Sequence, residues 1–163
     1  MARTVSALTV ACALACASVA IADEASDAKV VSNAWNRVKR LNAASAAAMP
    51  EANYAFKPSA DVRSFGEIIG HLANEHYMLC SQIKGEANPQ KSVDFEKKTA
   101  KADLVKALNE SNAYCDAAAP MAKDEKAFGT LLLNVTHDSE HYGNLVTYMR
   151  MKGIVPPSSQ PTR

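Results

Sequence analysis

Residues 64–85 read SFGEIIGHLANEHYMLCSQIKG, and this stretch decides the fold class. Ser64 followed three places later by Glu67 is a capping box, in which the two side chains satisfy the free backbone amides of a helix start. Gly85 suits the left-handed turn that ends a helix. Between them Phe65, Ile69, Leu72, Leu79 and Ile83 recur at helical spacing, so the segment offers one apolar stripe to a core. His76 falls inside that stripe and reads as a core histidine or one that supports a site. His71 and Glu75 lie roughly a quarter turn or more to one side, on the flank.

Three more segments share this spacing. The first runs from about Asp27 to Met49, with Val31, Trp35, Val38, Ser45 and Met49 on one stripe, and stops at Pro50. Another runs from about Thr99 to Ala118 with Leu104, Leu108, Ser111 and Cys115 in register, and Pro120 follows it. The last runs from about Phe128 to Lys152, where Gly153 and then Pro156-Pro157 end it. No segment alternates in the manner of a strand bounded by turn residues. The spacing therefore predicts an all-α four-helix bundle. Connections of roughly 14 residues on either side of the second helix are longer than antiparallel neighbours need, so at least one crossover connection is expected. There is no internal repeat, no low-complexity stretch beyond Ala43 to Ala48, and a polar tail, Ser158 to Arg163, expected to be disordered.

The chain has 163 residues, and its first 22 carry a single charge, Arg3. An apolar run from Val5 to Ala20 leads to Ala20-Ile21-Ala22 and then the acidic Asp23-Glu24, the pattern of a cleaved secretory signal. The run is shorter than a bilayer span, which argues against a retained anchor. Ala13-Leu14-Ala15 before Cys16 is a poor lipoprotein site, with no large aliphatic residue three places before the cysteine. The expectation is a single secreted or periplasmic domain, residues 23–163, with no stable membrane anchor after cleavage. About 140 residues are enough to bury one core. The formal charge of the whole chain is +1, and it falls to zero when Arg3 leaves, so nothing in the charge balance attracts nucleic acid.

Cys12 and Cys16 leave with the signal, and Cys80 and Cys115 remain. In an oxidising compartment they either pair, closing a long loop, or stay as two buried thiols that behave as small apolar residues.

On the last helix Leu131, Val135, Tyr142, Leu145 and Met149 point to the core, while His137 and His141 lie about 100° away in the same rotational sense as His71 on its own helix. Equal-sense flanks face each other when neighbouring helices run antiparallel. His71, His137 and His141 then converge, and the pair four residues apart is stacked one turn apart, within reach of one ion. Three protein nitrogens with a free fourth position is the arrangement of an open metal site. Glu75, one turn beyond His71, is the candidate for that fourth position or for a base; otherwise it is a solvated helix-face carboxylate. Asp138 and Tyr148 either orient ligands or are ordinary helix residues. His137 to His141 also matches the H-x-x-E-H zinc motif, but Glu140 points about 100° away from His141 and no further acidic ligand follows on another helix.

The stretch Val62-Arg63-Ser64-Phe65-Gly66-Glu67-Ile68-Ile69-Gly70-His71-Leu72-Ala73 resembles the second helix of the DinB-like family of small metal-binding four-helix bundles. His137-Asp138-Ser139-Glu140-His141-Tyr142-Gly143-Asn144, continuing through Tyr148 to Pro157, resembles that family's histidine-bearing last helix and its exit. With compatible helix spacing the resemblance covers nearly the whole chain after the signal. It implies His71, His137 and His141 as metal ligands, an up-down-down-up bundle, frequent homodimers, and a zinc or nickel ion. Some relatives are thiol-dependent transferases and others have a presumed hydrolytic role, so the resemblance does not select a reaction. The signal segment departs from the commonest family pattern and puts a cytosolic thiol cosubstrate in doubt.

Three functions compete. The first is a metal-dependent hydrolase or thiol-transferase-like enzyme acting on an unidentified small molecule. The second is a non-catalytic metal-binding or stress-related envelope protein with the same ligands. In the third, the histidines are merely packed or solvated. Imidazole suits zinc, nickel, copper and iron alike, so the ligand set does not choose the ion.

Overall fold

The computed structural model describes the backbone of residues 5–161 and the side chains of residues 27–161. The side chains of the expected signal, residues 1–22, lie outside the described residues. Four α-helices make up the bundle: α1 (Val5–Ala48), α2 (Phe65–Lys84), α3 (Lys101–Ala118) and α4 (Glu125–Met151), with short 3-10 turns between and after them. Among the described residues there is no strand, and no helix is long and apolar enough to cross a membrane.

The ends of α2 follow the sequence closely. Ser64 Oγ accepts from Glu67 N at 3.1 Å while Glu67 Oε2 accepts from Ser64 N at 2.6 Å. Gly85 closes the helix at φ 67°, a left-handed conformation that costs glycine nothing. The start of α4 comes three residues earlier than its apolar pattern shows, because Asp124 caps it by accepting from Ala127 N. The polar tail also differs from expectation. Residues Pro157–Ser159 form a 3-10 turn held to α4, with Ser158 N donating to the Tyr142 hydroxyl and Arg150 donating to Ser159 Oγ.

Helix directions follow from paired contacts. α2 and α3 run the same way, with Gly66 against Leu104, His76 against Ser111, and Cys80 disulfide-bonded to Cys115 across a Cα separation of 5.3 Å. α4 runs opposite to α2: Tyr148 near its end donates to the Arg63 carbonyl, and Asp138 near its middle meets His76. The segment from Gly85 to Ala100 consequently returns along the bundle to start α3, and it packs against α2 through the stacked rings of Tyr77 and Phe95.

Two apolar clusters fill the interior. Met49, Phe65, Ile69, Leu72, Leu104, Leu108, Leu145 and Met149 form one, and Val31, Trp35, Val38, Ile83, Leu131 and Val135 with the disulfide form the other. Each fully buried large side chain contributes about 1.5–3 kcal/mol by leaving water. Between the clusters lies a polar layer with one residue from each helix. Asn42 of α1 donates to Asp138 Oδ2 of α4 at 3.1 Å, His76 of α2 donates to Asp138 Oδ1 at 2.9 Å, and the other ring nitrogen of His76 bonds the Ser111 hydroxyl of α3 at 3.0 Å. Buried polar groups are costly unless partnered, so these bonds hold only one register of the four helices.

Candidate metal centre

His71 stands in the second turn of α2, and His137 and His141 lie one turn apart on the facing side of α4. The polar layer sets their register, because His76 is bonded to the residue that immediately follows His137. The three rings converge through their Nε2 atoms: His71 to His137 is 3.1 Å and His141 to His137 is 3.1 Å. One ligand nitrogen from each lies within 4.8 Å of the others. Two imidazole nitrogens bound tetrahedrally at about 2.0–2.1 Å from one ion stand roughly 3.3 Å apart. The observed spacing is close to that.

The protonation pattern favours a cation at the point of convergence. Glu96, on the segment between α2 and α3, accepts from His71 Nδ1 at 2.8 Å. A carboxylate only accepts, so the proton is assigned to Nδ1 and the Nε2 lone pair faces the other two rings. Burial, helped by the neighbouring histidines, lowers the His141 pKa to about 4, and burial and His71 lower that of His137. Both therefore stay neutral near pH 7 and present nitrogen lone pairs. A cluster of such lone pairs in a partly buried site fits a divalent ion, and the all-imidazole donor set fits zinc or nickel among others.

The expected convergence of His71, His137 and His141 is present. His76 is fully buried in the polar layer, as its place in the apolar stripe predicts. Asp138 is also fully buried, tied to His76 and Asn42 rather than to a cluster histidine, and Tyr148 bonds the Arg63 carbonyl. Glu140 is exposed. The Glu75 carboxylate is not among the convergent ligand atoms, though its charge reaches His137.

Glu96 is the site residue that sequence reasoning missed. Its second oxygen accepts from Arg63 Nε at 2.8 Å. The segment that carries it is drawn onto α2 by Asn74, which accepts from Phe95 N at 3.0 Å and donates to Asp94 at 3.1 Å. It comes close because Gly70 has no side chain: a Cβ there would overlap the Phe95 carbonyl and stand 2.7 Å from Glu96 N. A glycine inside a helix, next to a candidate ligand, was the one available signal.

On the solvent side of the cluster, a cleft of about 590 Å³ is lined by His141, Asn144, Tyr148, Lys57, Arg63 and Glu96 among others. Lys57 is paired with Glu67 at 2.9 Å. Of the three histidines His141 is the one that lines it, so the cluster meets a space sized for a small molecule along that edge.

An all-α bundle whose facing helices bring three imidazole nitrogens to one point defines a class of small helical protein with a histidine cluster that could hold a metal ion. The family model of the DinB superfamily matches residues 34–145, a span that contains all three histidines. The chain belongs to that superfamily. No curated protein and no solved structure gives a significant match.

Proposed function

We propose that this is an exported metal-dependent enzyme of the DinB superfamily, acting on a small molecule by hydrolysis or by thiol transfer. The observation that carries the reading is the convergence of three Nε2 atoms beside an open cleft, one of whose lining residues is His141. His71, His137 and His141 would hold the ion, and a bound divalent ion supplies Lewis acidity, polarising a substrate group and easing loss of a proton from it. Zinc and nickel are the ions favoured by the family.

The chain's own residues do the rest. His137 and His141 remain neutral and able to coordinate, Glu96 orients His71, and the cleft walls hold the substrate beside the cluster. Glu75 is retained as a candidate base, since its charge is felt at His137. Export is supported by the N-terminal pattern and by the Cys80–Cys115 bridge, a feature of oxidising compartments.

Elemental analysis of untagged protein tests the first half of the reading, with one zinc or nickel per chain expected. His137→Ala should lose the ion while keeping its helicity; unchanged stoichiometry would overturn the ligand set. The loaded protein should then turn over a member of a panel of esters, amides and thiol–acceptor pairs. Tight binding without turnover of any of them would assign the site to metal sequestration in the cell envelope instead.

A further inference from the structure

We propose that Glu96 is a positioning residue of the metal centre, held in place by Gly70 and Asn74, so that a ligand's orientation depends on a segment outside the four helices. The inference rests on the three-histidine reading and extends it. Histidines that bind metals commonly donate their other ring N–H to a carboxylate, which selects the tautomer, holds the ring plane and raises the basicity of the ligating nitrogen. Glu96 has that relation to His71: its Oε1 takes the Nδ1 proton, and Nε2 points to His137. The carboxylate's other oxygen is paired with Arg63 Nε, a second contact that favours this placement.

The location of this support is informative. His71 is the sole ligand from α2, whereas His137 and His141 come from one helix and are placed together by its geometry. Rotation of the His71 ring would open the cluster even with the bundle intact. Asp94 accepts from Glu96 N at 3.1 Å and bonds Asn74, and Asn74 in turn accepts from Phe95 N, so three consecutive residues are secured to α2 over His71. Gly70 permits the approach, and Phe95 seals it by stacking on Tyr77.

Zinc and cobalt(II) affinities measured by competition with a chromophoric chelator, for wild type, Glu96→Gln, Glu96→Ala and Gly70→Ala, test this. Glu96→Ala should bind about 10- to 100-fold more weakly. Glu96→Gln, which can still accept from Nδ1 but carries no charge, should fall between it and wild type. Gly70→Ala should weaken binding in the same direction without altering the carboxylate. Nitrogen-15 shifts of the His71 ring in the metal-free protein should show one tautomer in wild type and a mixture in Glu96→Ala, a change that a purely structural role would not produce. Wild-type affinity in Glu96→Ala would overturn the inference while leaving the ligand set standing. A cobalt spectrum whose coordination number changes in Glu96→Ala would overturn it by making Glu96 a direct ligand. Wild-type protein that takes up no ion would remove the three-histidine reading and this inference together.

Discussion

His76 Nε2 stands 2.9 Å from Asp138 Oδ1, with neither side chain exposed to solvent. This contact joins α2 to α4 one residue beyond His137 of the candidate metal cluster, and Asn42 and Ser111 extend it to the other two helices. Replacing Asp138 by Ala would leave a buried histidine and a buried amide without their acceptor. Leaving a buried polar group unpaired costs about 1–3 kcal/mol, so two of them are a large part of the about 5–15 kcal/mol that holds a typical domain together. Urea unfolding of Asp138→Ala should show that loss; a change below about 1 kcal/mol would show that the layer contributes little to the fold.

Metal binding should stabilise the folded chain, since the three nitrogens meet only when α2 and α4 are packed. For an ion that binds the native state alone, a concentration 100 times Kd adds about 2.7 kcal/mol. Thermal melts with and without zinc should separate accordingly, and a chelator should reverse the gain. A melting temperature indifferent to metal would count against a preformed site.

The pH dependence follows from the depressed histidines. The His141 pKa is lowered to about 4 from 6.5 by burial and by its histidine neighbours, so between those values the unfolded chain binds more protons than the folded one. The metal-free protein should therefore keep this contribution above about pH 6.5 and lose it as the pH falls toward 4. Urea midpoints across that window should drop with acid, and His141→Gln should flatten the slope. A midpoint that rises on acidification would contradict the burial argument.

The Cys80–Cys115 bridge joins the ends of α2 and α3 farthest from the metal cluster and closes a separation of 35 residues. In the chain-entropy account such a loop contributes about 4 kcal/mol. The Cys80→Ser, Cys115→Ser double variant should be destabilised by an amount of that order yet bind metal with unchanged stoichiometry. Loss of the ion at a pH and temperature where the variant remains helical would show that the bridge shapes the site.

Periodicity and capping are local, and they were legible. The stripe through Phe65, Ile69, Leu72, Leu79 and Ile83, the Ser64–Glu67 box and Gly85 predicted α2 within a residue at each end, and the flank positions of His71, His137 and His141 predicted their meeting. The stripe, the caps and the flank positions depend on neighbours one or two turns away, where the 3.6-residue repeat sets direction, whereas the meeting itself needs α2 and α4 packed antiparallel. Glu96 carries no such regularity. It lies on an irregular segment whose path is set by Gly70, Asn74 and Tyr77 on another element.

By itself the sequence determined four amphipathic helices, the caps of α2, and three histidines on matching flanks. Only the tertiary structure decided that Cys80 bonds Cys115, that Asp138 is an acceptor shared between helices rather than a surface acid, and that Glu96 reaches His71. The physical reason is range. Helical spacing and capping act within a few residues of the chain, whereas a disulfide, a buried acceptor or a carboxylate partner forms between residues that become neighbours only when the helices pack.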